Sequence, residues 1–430
     1  AKGGYLIRTT LDPDVQAPVK AAVDSNAAPD IQGIASVMSV IRPGRESHPV
    51  LAMVSNRTYG LNSEAGETMQ PQPFSLVGDG AGSIFKVFTT AAALELGMGT
   101  SAMLDVPNRF EAKGLGSGGA KGCPKDTWCV QNYNGTAYRS PLSVTDALAT
   151  SPNTAFAKLI SQIGVQRTVD MAVKLGLRSY AEPGTARAYD PENNESLADF
   201  IKRQNIGSFT LGPFQVNPLE LSNVAATLAS GGVWCPPNPI DKVFDRHGNE
   251  VSVTTQTCEQ VVPDGLANTL ANAMSHDDQG NGTAAGSANS VGWNLPMAGK
   301  TGTTQNWADA WTVGFTPYMT TAVWFGFDRP GNSLGVSQSG AAIAGVLWAN
   351  YMEAIHRGLP YKDFIRPQSG LVDVKVCAKS GLLPTEYCSE GTVSLLFYEG
   401  TQPHQYCDLH QFSSESAERG IQSLSQQGSL

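Results

Sequence analysis

Gly82-Ser83-Ile84-Phe85-Lys86 is the stretch on which the reading of this chain turns. It stands where a glycine-rich loop, Val77 to Gly82, gives way to an apolar run from Ile84 to Leu96 that is closed by Gly97. That run reads as a helix with a glycine stop. Residues three apart share a helix face, so Ser83 and Lys86 can touch. Lys86 is the single basic residue in the run. A helix that is apolar nearly all round is buried, and a buried lysine needs a partner or gives up its proton. A neutral amine beside a hydroxyl is a base beside its nucleophile. The competing reading is a serine at a helix N-terminus and a lysine reaching to the surface. Ser-x-x-Lys arises by chance roughly once in a chain of this size, so the pair needs support from elsewhere.

Outward from this stretch, Tyr5 to Pro13 reads as a strand ending at a turn and Asp14 to Val23 as a helix. Ile34–Ile41 and Val50–Ser55 read as strands paired about an Arg42-Pro43-Gly44 turn. Beyond the Ser83 helix, Leu104 to Ser140 is irregular and rich in Gly, Asn and Lys. Helical patterns then cover Val144–Ala149, Thr154–Ile163, Val165–Leu175, Pro218–Leu228 and Gly265–Met274. Ser151-Pro152-Asn153 falls on the break between the first two. The pattern changes at Met297-Ala298-Gly299-Lys300-Thr301-Gly302-Thr303, which with Ala310–Phe315 and Thr320–Phe327 forms successive antiparallel strands. A helix over Ala342–His356 follows. Strands, many helices, strands and a helix predict an α/β sandwich in which the two ends share a sheet and an all-helical subdomain is inserted.

The 430 residues suffice for a large core, and the net charge of −9, without a basic cluster, argues against nucleic acid or an anionic membrane as main partner. No apolar run reaches transmembrane length, and no signal peptide opens the chain. Ala1-Lys2-Gly3-Gly4 reads as a cut boundary, which would place an anchor or export signal outside this stretch. Seven cysteines are spaced locally: Cys123 with Cys129, Cys235 with Cys258, and Cys377, Cys388 and Cys407. None forms the paired Cys-x-x-Cys of a zinc ribbon, so disulfides of an exported protein are expected, with an odd cysteine left over. Cys235 and Cys258 bracket a polar hairpin turning at His247-Gly248-Asn249, and a bridge between them is predicted to staple it.

Three short motifs therefore occur in order, Ser83-x-x-Lys86, Ser151-x-Asn153 and Lys300-Thr301-Gly302-Thr303. The trio resembles that of penicillin-binding proteins and class A β-lactamases. The resemblance implies that Ser83 attacks a peptide carbonyl and forms an acyl-enzyme while Lys86 takes its proton. The helix N-terminus and Lys300 would lower the Lys86 pKa. Ser151 would relay a proton to the leaving amine, and Asn153, donor and acceptor at once, would hold a substrate amide. Thr301 and Thr303 would offer hydroxyls to a substrate carboxylate. Gly302 would let the substrate lie flat as an added strand. The Ser83 and Thr303 N–H groups would form the oxyanion hole.

More of the chain resembles the transpeptidase domain of class A, bifunctional, penicillin-binding proteins, with actinobacterial members nearest in pattern. Thr304, Asp309-Ala310-Trp311 and Gly314-Phe315-Thr316-Pro317 continue the third motif in that family's manner. Asn132-Tyr133 and Ala147 to Asn153 resemble the surroundings of its second motif. Pro218-Leu219-Glu220-Leu221, Cys377-x-x-Ser380-Gly381-Leu382 and Cys407-Asp408-x-His410 fit as well. Ala81, where proline is common, and Arg139, where glycine is common, depart from the pattern away from the chemistry. The fold implied is that of penicillin-binding proteins and serine β-lactamases, a five-stranded antiparallel sheet between helices with an all-helical subdomain. Residues 1–30 would be an interdomain linker, 31–360 the transpeptidase domain, and 361–430 a cysteine-containing extension with a mobile Ser/Gln-rich tail from Ser413. The partners implied are the D-Ala-D-Ala donor and amine acceptor of peptidoglycan stem peptides, and β-lactams as covalent inhibitors. No cofactor or metal is implied at the site. The full-length protein would carry a membrane anchor and a glycosyltransferase domain, on the outer face of the bacterial cytoplasmic membrane.

A β-lactamase is one rival, a D,D-carboxypeptidase a second and a non-enzymatic β-lactam sensor a third. A β-lactamase needs a base for deacylation, and the acidic residues nearest the motifs are Asp79, Asp146 and Asp309, with Glu195 as a loop candidate. Asp146 is expected to face solvent, Asp309 to orient a turn and Glu195 to lie in a solvated loop. His276-Asp277-Asp278 reads as a solvated loop too. Trp307, Trp311 and Trp324 are either groove lining or core. His404, Cys407 and His410 with Cys388 could ligate a metal, against the stronger expectation that tail cysteines pair.

Overall fold

In the computed structural model, which describes residues 4–253, 256–364, 371–388, 391–398 and 402–407, the chain opens with strand β1 (Leu6–Thr9) and helix α1 (Pro13–Asn26). Asp12 caps α1 by accepting the Asp14 N–H, and Pro13 takes the first helical position, where a missing N–H costs nothing. Val15, Val19 and Val23 form its buried face. They pack with Trp348, Tyr351 and Met352 on the outer side of the main sheet. Residues 13–26, inside the segment expected as a linker, are thus packed into the sandwich.

Strands β2 (Ile34–Ile41) and β3 (His48–Ser55) form the expected hairpin. Helix α2 (Lys86–Glu95) follows the turn that carries Ser83, and nine of its ten residues, Lys86 through Leu94, are buried. The stretch expected to be irregular contains an antiparallel pair, β4 (Arg109–Lys113) and β5 (Thr127–Gln131), whose connecting loop is closed by the Cys123–Cys129 disulfide. Its glycines and charges hid any alternation from a reading of the sequence. Helices α3 (Val144–Thr150), α4 (Asn153–Ile163), α5 (Val165–Leu175) and α6 (Leu197–Arg203) build the inserted subdomain around α2. Helix α7 (Pro218–Ala229) lies against the inner sheet face, with its Ser222 hydroxyl donating to Ser39 O at 3.1 Å.

A two-residue strand β6 (Pro237–Asn238) and strand β7 (Ile240–Phe244) come next. β7 turns at Asp245–Asn249 and pairs with β1 on its other side, and the Cys235–Cys258 disulfide closes this hairpin. Helix α8 (Asp264–Met274) leads to β8 (Ala298–Thr303), β9 (Asp309–Phe315) and β10 (Thr320–Phe327). Helix α9 (Val346–His356) is preceded by a wider π-helical turn over Gly340–Gly345, so the regular helix starts four residues later than the pattern predicts.

The main sheet runs β6-β3-β2-β10-β9-β8. Five of its strands are antiparallel as expected; the sixth, β6, adds a parallel two-residue edge. β10 pairs with β2 along its whole length, from Thr320 opposite Ile41 to Phe327 opposite Ile34. That closure joins segments almost a whole domain apart and leaves β8 at the free edge, facing the helical subdomain. At the C-terminal end β11 (Leu371–Cys377) pairs with β12 (Thr392–Tyr398) over a small core of Val376, Leu395 and Phe397. The Phe397 ring packs on Gly99, just past α2. The tail from residue 413 lies outside the described residues.

Candidate active site

Ser83 sits half-buried on a tight 3-10 turn, Gly82–Phe85, and Lys86 opens α2 one turn later. This turn meets the backbone of β8 with no room for a side chain between them. A Cβ on Gly82, whose φ is +58°, would lie 2.4 Å from Thr303 O, and one on Gly302 would lie 2.0 Å from Ala81 O. Both clashes are with backbone, which cannot swing away. Glycine at 302 thus admits the nucleophile's own turn to the strand, a reason different from the substrate contact expected of it.

Lys86 is wholly buried. Its Nζ donates to Ser151 O at 2.6 Å and to Asn153 Oδ1 at 2.8 Å, and lies 3.0 Å from Ser151 Oγ. No carboxylate is among these partners. Burial, and then the charge of Lys300, hold the Lys86 pKa well below the ordinary lysine value. These three oxygens, two on Ser151 and one on Asn153, fix the place of the amine one turn from Ser83. Ser151 occupies the left-handed region at φ 65° as the C-cap of α3, an uncommon conformation for a serine. The kink lets α3 stop and α4 start at Asn153, so both motif side chains turn back toward Lys86. Asn153 Nδ2 donates to Gln131 O at 3.3 Å, and Asn132 Oδ1 accepts the Thr154 N–H at 3.1 Å, anchoring α4 to β5.

Lys300 is fully buried as well, with Nζ 3.3 Å from Thr301 O. Its pKa is lowered by burial and raised in return by Asp277. Asp277, expected in a solvated loop, is instead 1% exposed. Its Oδ1 accepts the Thr283 N–H at 3.2 Å and the Thr283 hydroxyl at 2.6 Å, and that hydroxyl lies 2.5 Å from Thr301 Oγ1. The local signal was absent because His276-Asp277-Asp278 has loop composition. The charge balance could have pointed to it, since two buried lysines require a carboxylate near one of them. Asp277 thus favours the charged form of Lys300, whose charge in turn disfavours that of Lys86. Asp277→Asn is expected to lower the Lys300 pKa further, because only the lowering cause remains. The alkaline limb of the pH profile for acylation should then move to lower pH, and the rate on that limb should fall. An unmoved limb, measured by stopped-flow acylation across pH, would dismiss this role.

The cleft above Ser83 encloses about 1050 Å3 and is lined by Ser83, Asn153 and Thr303, with Trp128 and Val130 of β5 on one wall. Lys86, Ser151, Lys300, Thr301 and Gly302 lie behind that surface. Thr303 accepts the Gly340 N–H at 3.0 Å, so the turn before α9 supports the strand edge. Trp311 and Trp324 are core residues with ring centroids 6.1 Å apart. Trp307 Nε1 donates to Tyr133 Oη at 2.8 Å, joining the loop after β8 to the loop after β5. Among the described residues Asp79 is the one acidic side chain on the cleft, and its Oδ2 accepts the Gly331 N–H at 2.8 Å. Asp146 is exposed, Glu195 pairs with Arg203, and Asp309 is buried, accepting from Trp324 Nε1 and from the Asp79 N–H, both at 2.9 Å. Burial pushes the Asp309 carboxyl up to about 6. Among the described residues the one cluster of potential metal ligands, Cys377, Cys388 and Cys407, lies away from the cleft.

Residues 45–343 match the family model described as the penicillin binding protein transpeptidase domain, and residues 367–412 match that of the penicillin-binding protein 1A C-terminal domain. The chain is 29% identical over 387 residues to penicillin-binding protein 1A of Aquifex aeolicus, covering 88% of this chain and 45% of that protein. It spans about half the length of the curated relatives it matches. Similar relatives come from several bacterial groups, Mycobacterium tuberculosis included. The fold is shared with penicillin-binding protein PonA1 of M. tuberculosis, at 24% identity and a TM-score of 0.67 over 85% of this chain and 87% of that one. It is also shared with penicillin-binding protein 1A of Haemophilus influenzae, at 18% identity and a TM-score of 0.70 over 94% and 73%. The family match, which runs from the first sheet hairpin past the third motif, covers every element that builds the cleft, and the chain belongs to the penicillin-binding protein transpeptidase family.

Proposed function

We propose that Ser83, Lys86, Ser151, Asn153, Lys300 and Thr303 carry out the D,D-transpeptidase reaction of this family. The observation that carries the assignment is Lys86: a buried amine with no acid beside it, one turn from a serine, held on Ser151 and Asn153. Neutral Lys86 takes the Ser83 proton as Ser83 Oγ attacks the D-Ala-D-Ala carbonyl. The Ser83 and Thr303 N–H groups receive the oxyanion. Ser151 passes the proton on to the departing D-Ala amine, which leaves an ester on Ser83. An amine of a second stem peptide then attacks the ester, gives its proton back through the same groups and frees Ser83. Thr303 holds the donor carboxylate, joined by Thr301 once its hydroxyl exchanges Thr283 for substrate, with the charge of Lys300 behind them. β-Lactams would acylate the same serine.

The second family match, over residues 367–412, supports taking 361–430 as a module appended to a domain at 31–360. We place the domain outside the cytoplasm, where two disulfides persist. Among the described residues no helix is long and apolar enough to cross a membrane. An anchor and a glycosyltransferase domain in the full-length protein, and a position on the outer face of the cytoplasmic membrane, complete the proposal.

Transpeptidation is separated from β-lactam hydrolysis by the fate of the ester. Among the described residues Asp79 is the one acidic group on the cleft, with one oxygen held by the Gly331 N–H, and slow deacylation is the expected consequence. A penicillin adduct followed by intact mass is expected to last minutes to hours, and an added amine acceptor to shorten its life. Penicillin turnover at about one per second, an ordinary enzyme rate, would assign the chain to hydrolysis instead.

A further inference from the structure

The C-terminal module gathers three cysteines that the acyl-transfer chemistry does not use. Cys377 closes β11, and its carbonyl accepts the Gly381 N–H at 2.9 Å. Cys388 ends a tight turn, its N–H donating to Thr385 O at 3.2 Å. Cys407 arrives on a third segment, its N–H donating to Leu383 O at 2.8 Å. The three Sγ atoms lie within 4.8 Å of one another, with Cys377 and Cys407 buried and Cys388 half-buried. Among the described residues the disulfides join Cys123 to Cys129 and Cys235 to Cys258.

We propose that Cys377, Cys388 and Cys407 form a binding site for a thiophilic divalent cation of the zinc class. A tetrahedral zinc–thiolate site with bonds of about 2.3 Å sets its sulfurs about 3.8 Å apart, close to the observed clustering. A disulfide would need one pair at about 2.0 Å and would leave the third sulfur beside it. The backbone around Cys388 suits a thiolate, since the Thr385 N–H donates to its Sγ at 3.4 Å and the Thr385 hydroxyl lies 3.8 Å from it. Among the described residues the module's apolar core is small. A two-stranded hairpin over Val376, Leu395 and Phe397 is marginal in water, and tying three segments at one point removes that weakness. Binding converts three thiols to thiolates and releases their three protons to solvent, with water in the fourth position. His404 is exposed and outside this cluster, and His410 lies outside the described residues.

The test uses the 430-residue chain. Denatured with a chelator and without reductant, it should expose three alkylatable thiols, mapping to 377, 388 and 407. A single thiol, with a cross-linked peptide joining the other two cysteines, would overturn the proposal. Titration of the folded chain with cobalt(II) should give a thiolate-to-metal charge-transfer band that saturates at one equivalent and is erased by zinc(II). Cys388→Ser, at the half-buried position, should weaken cobalt binding about tenfold or more while Ser83 is still acylated by penicillin, which reports that the domain is folded. Cobalt binding equal to that of the parent chain, or no band at all with three thiols present, would equally overturn it.

Discussion

Ser83→Ala is expected to abolish the penicillin adduct and to lower peptide transfer by on the order of 10^6-fold, the scale seen when an acyl-enzyme nucleophile is removed. The size of the effect follows from the role. Without Ser83 Oγ no ester forms, and the oxyanion donors and Lys300 are left only to bind. The turn itself should persist, because it is held by backbone contacts of Gly82 and Gly302 rather than by the serine hydroxyl. Unfolding stability should therefore stay within about 0.5 kcal/mol of the parent chain. Intact mass after incubation with penicillin is the measurement. A full adduct on the alanine variant would move the nucleophile elsewhere, and peptide mapping would say where.

Removal of the Lys86 amine should slow acylation by about 10^2- to 10^4-fold, the usual worth of a general base. Lys86→Met keeps nearly the same volume, so it tests the base without opening a cavity. Lys86→Arg keeps the charge but cannot surrender a proton, and it is expected to be as slow. The pH profile distinguishes a base from a structural cation. Burial and Lys300 depress the Lys86 pKa, so the neutral amine is available below the ordinary lysine range. Acylation by the parent chain should rise as pH passes upward through that depressed value and then hold until Lys300 loses its proton. Both variants should lose this limb. Near-normal acylation by Lys86→Arg, or an unchanged limb in Lys86→Met, would rule Lys86 out as the base.

Much of this molecule was legible along the chain. The helix of Lys86 was announced by an apolar run with a glycine stop, and Thr320–Phe327 and Val165–Leu175 have the bounds their patterns predict. Those readings succeed because burial of a helix or strand imposes its own period on the residues that form it. The three motifs could be placed for a related reason. Each sits at an element boundary, the turn before α2, the kink between α3 and α4, and the strand β8, and boundaries are marked by Gly, Ser, Pro and Asn. The Cys235–Cys258 bridge was readable because its two ends flank one polar hairpin.

What the tertiary structure alone decided concerns residues whose meaning depends on distant neighbours. β4 and β5 have no clear alternation and take their order from pairing with each other and from the Cys123–Cys129 link. Gly302 looked like room for substrate, yet the atom that excludes a side chain there is Ala81 O, over two hundred residues earlier. Asp277 has the local composition of a loop, and only packing buries it near Lys300 and bonds it to Thr283, and through Thr283 to Thr301. Cys377, Cys388 and Cys407 are spread over thirty residues, and only the folding of three segments brings their sulfurs within 4.8 Å of one another. Periodicity and turn chemistry are local and survive in the sequence; desolvation, charge pairing and backbone contact join remote segments, as the pairing of β10 with β2 does, and exist only in the folded chain.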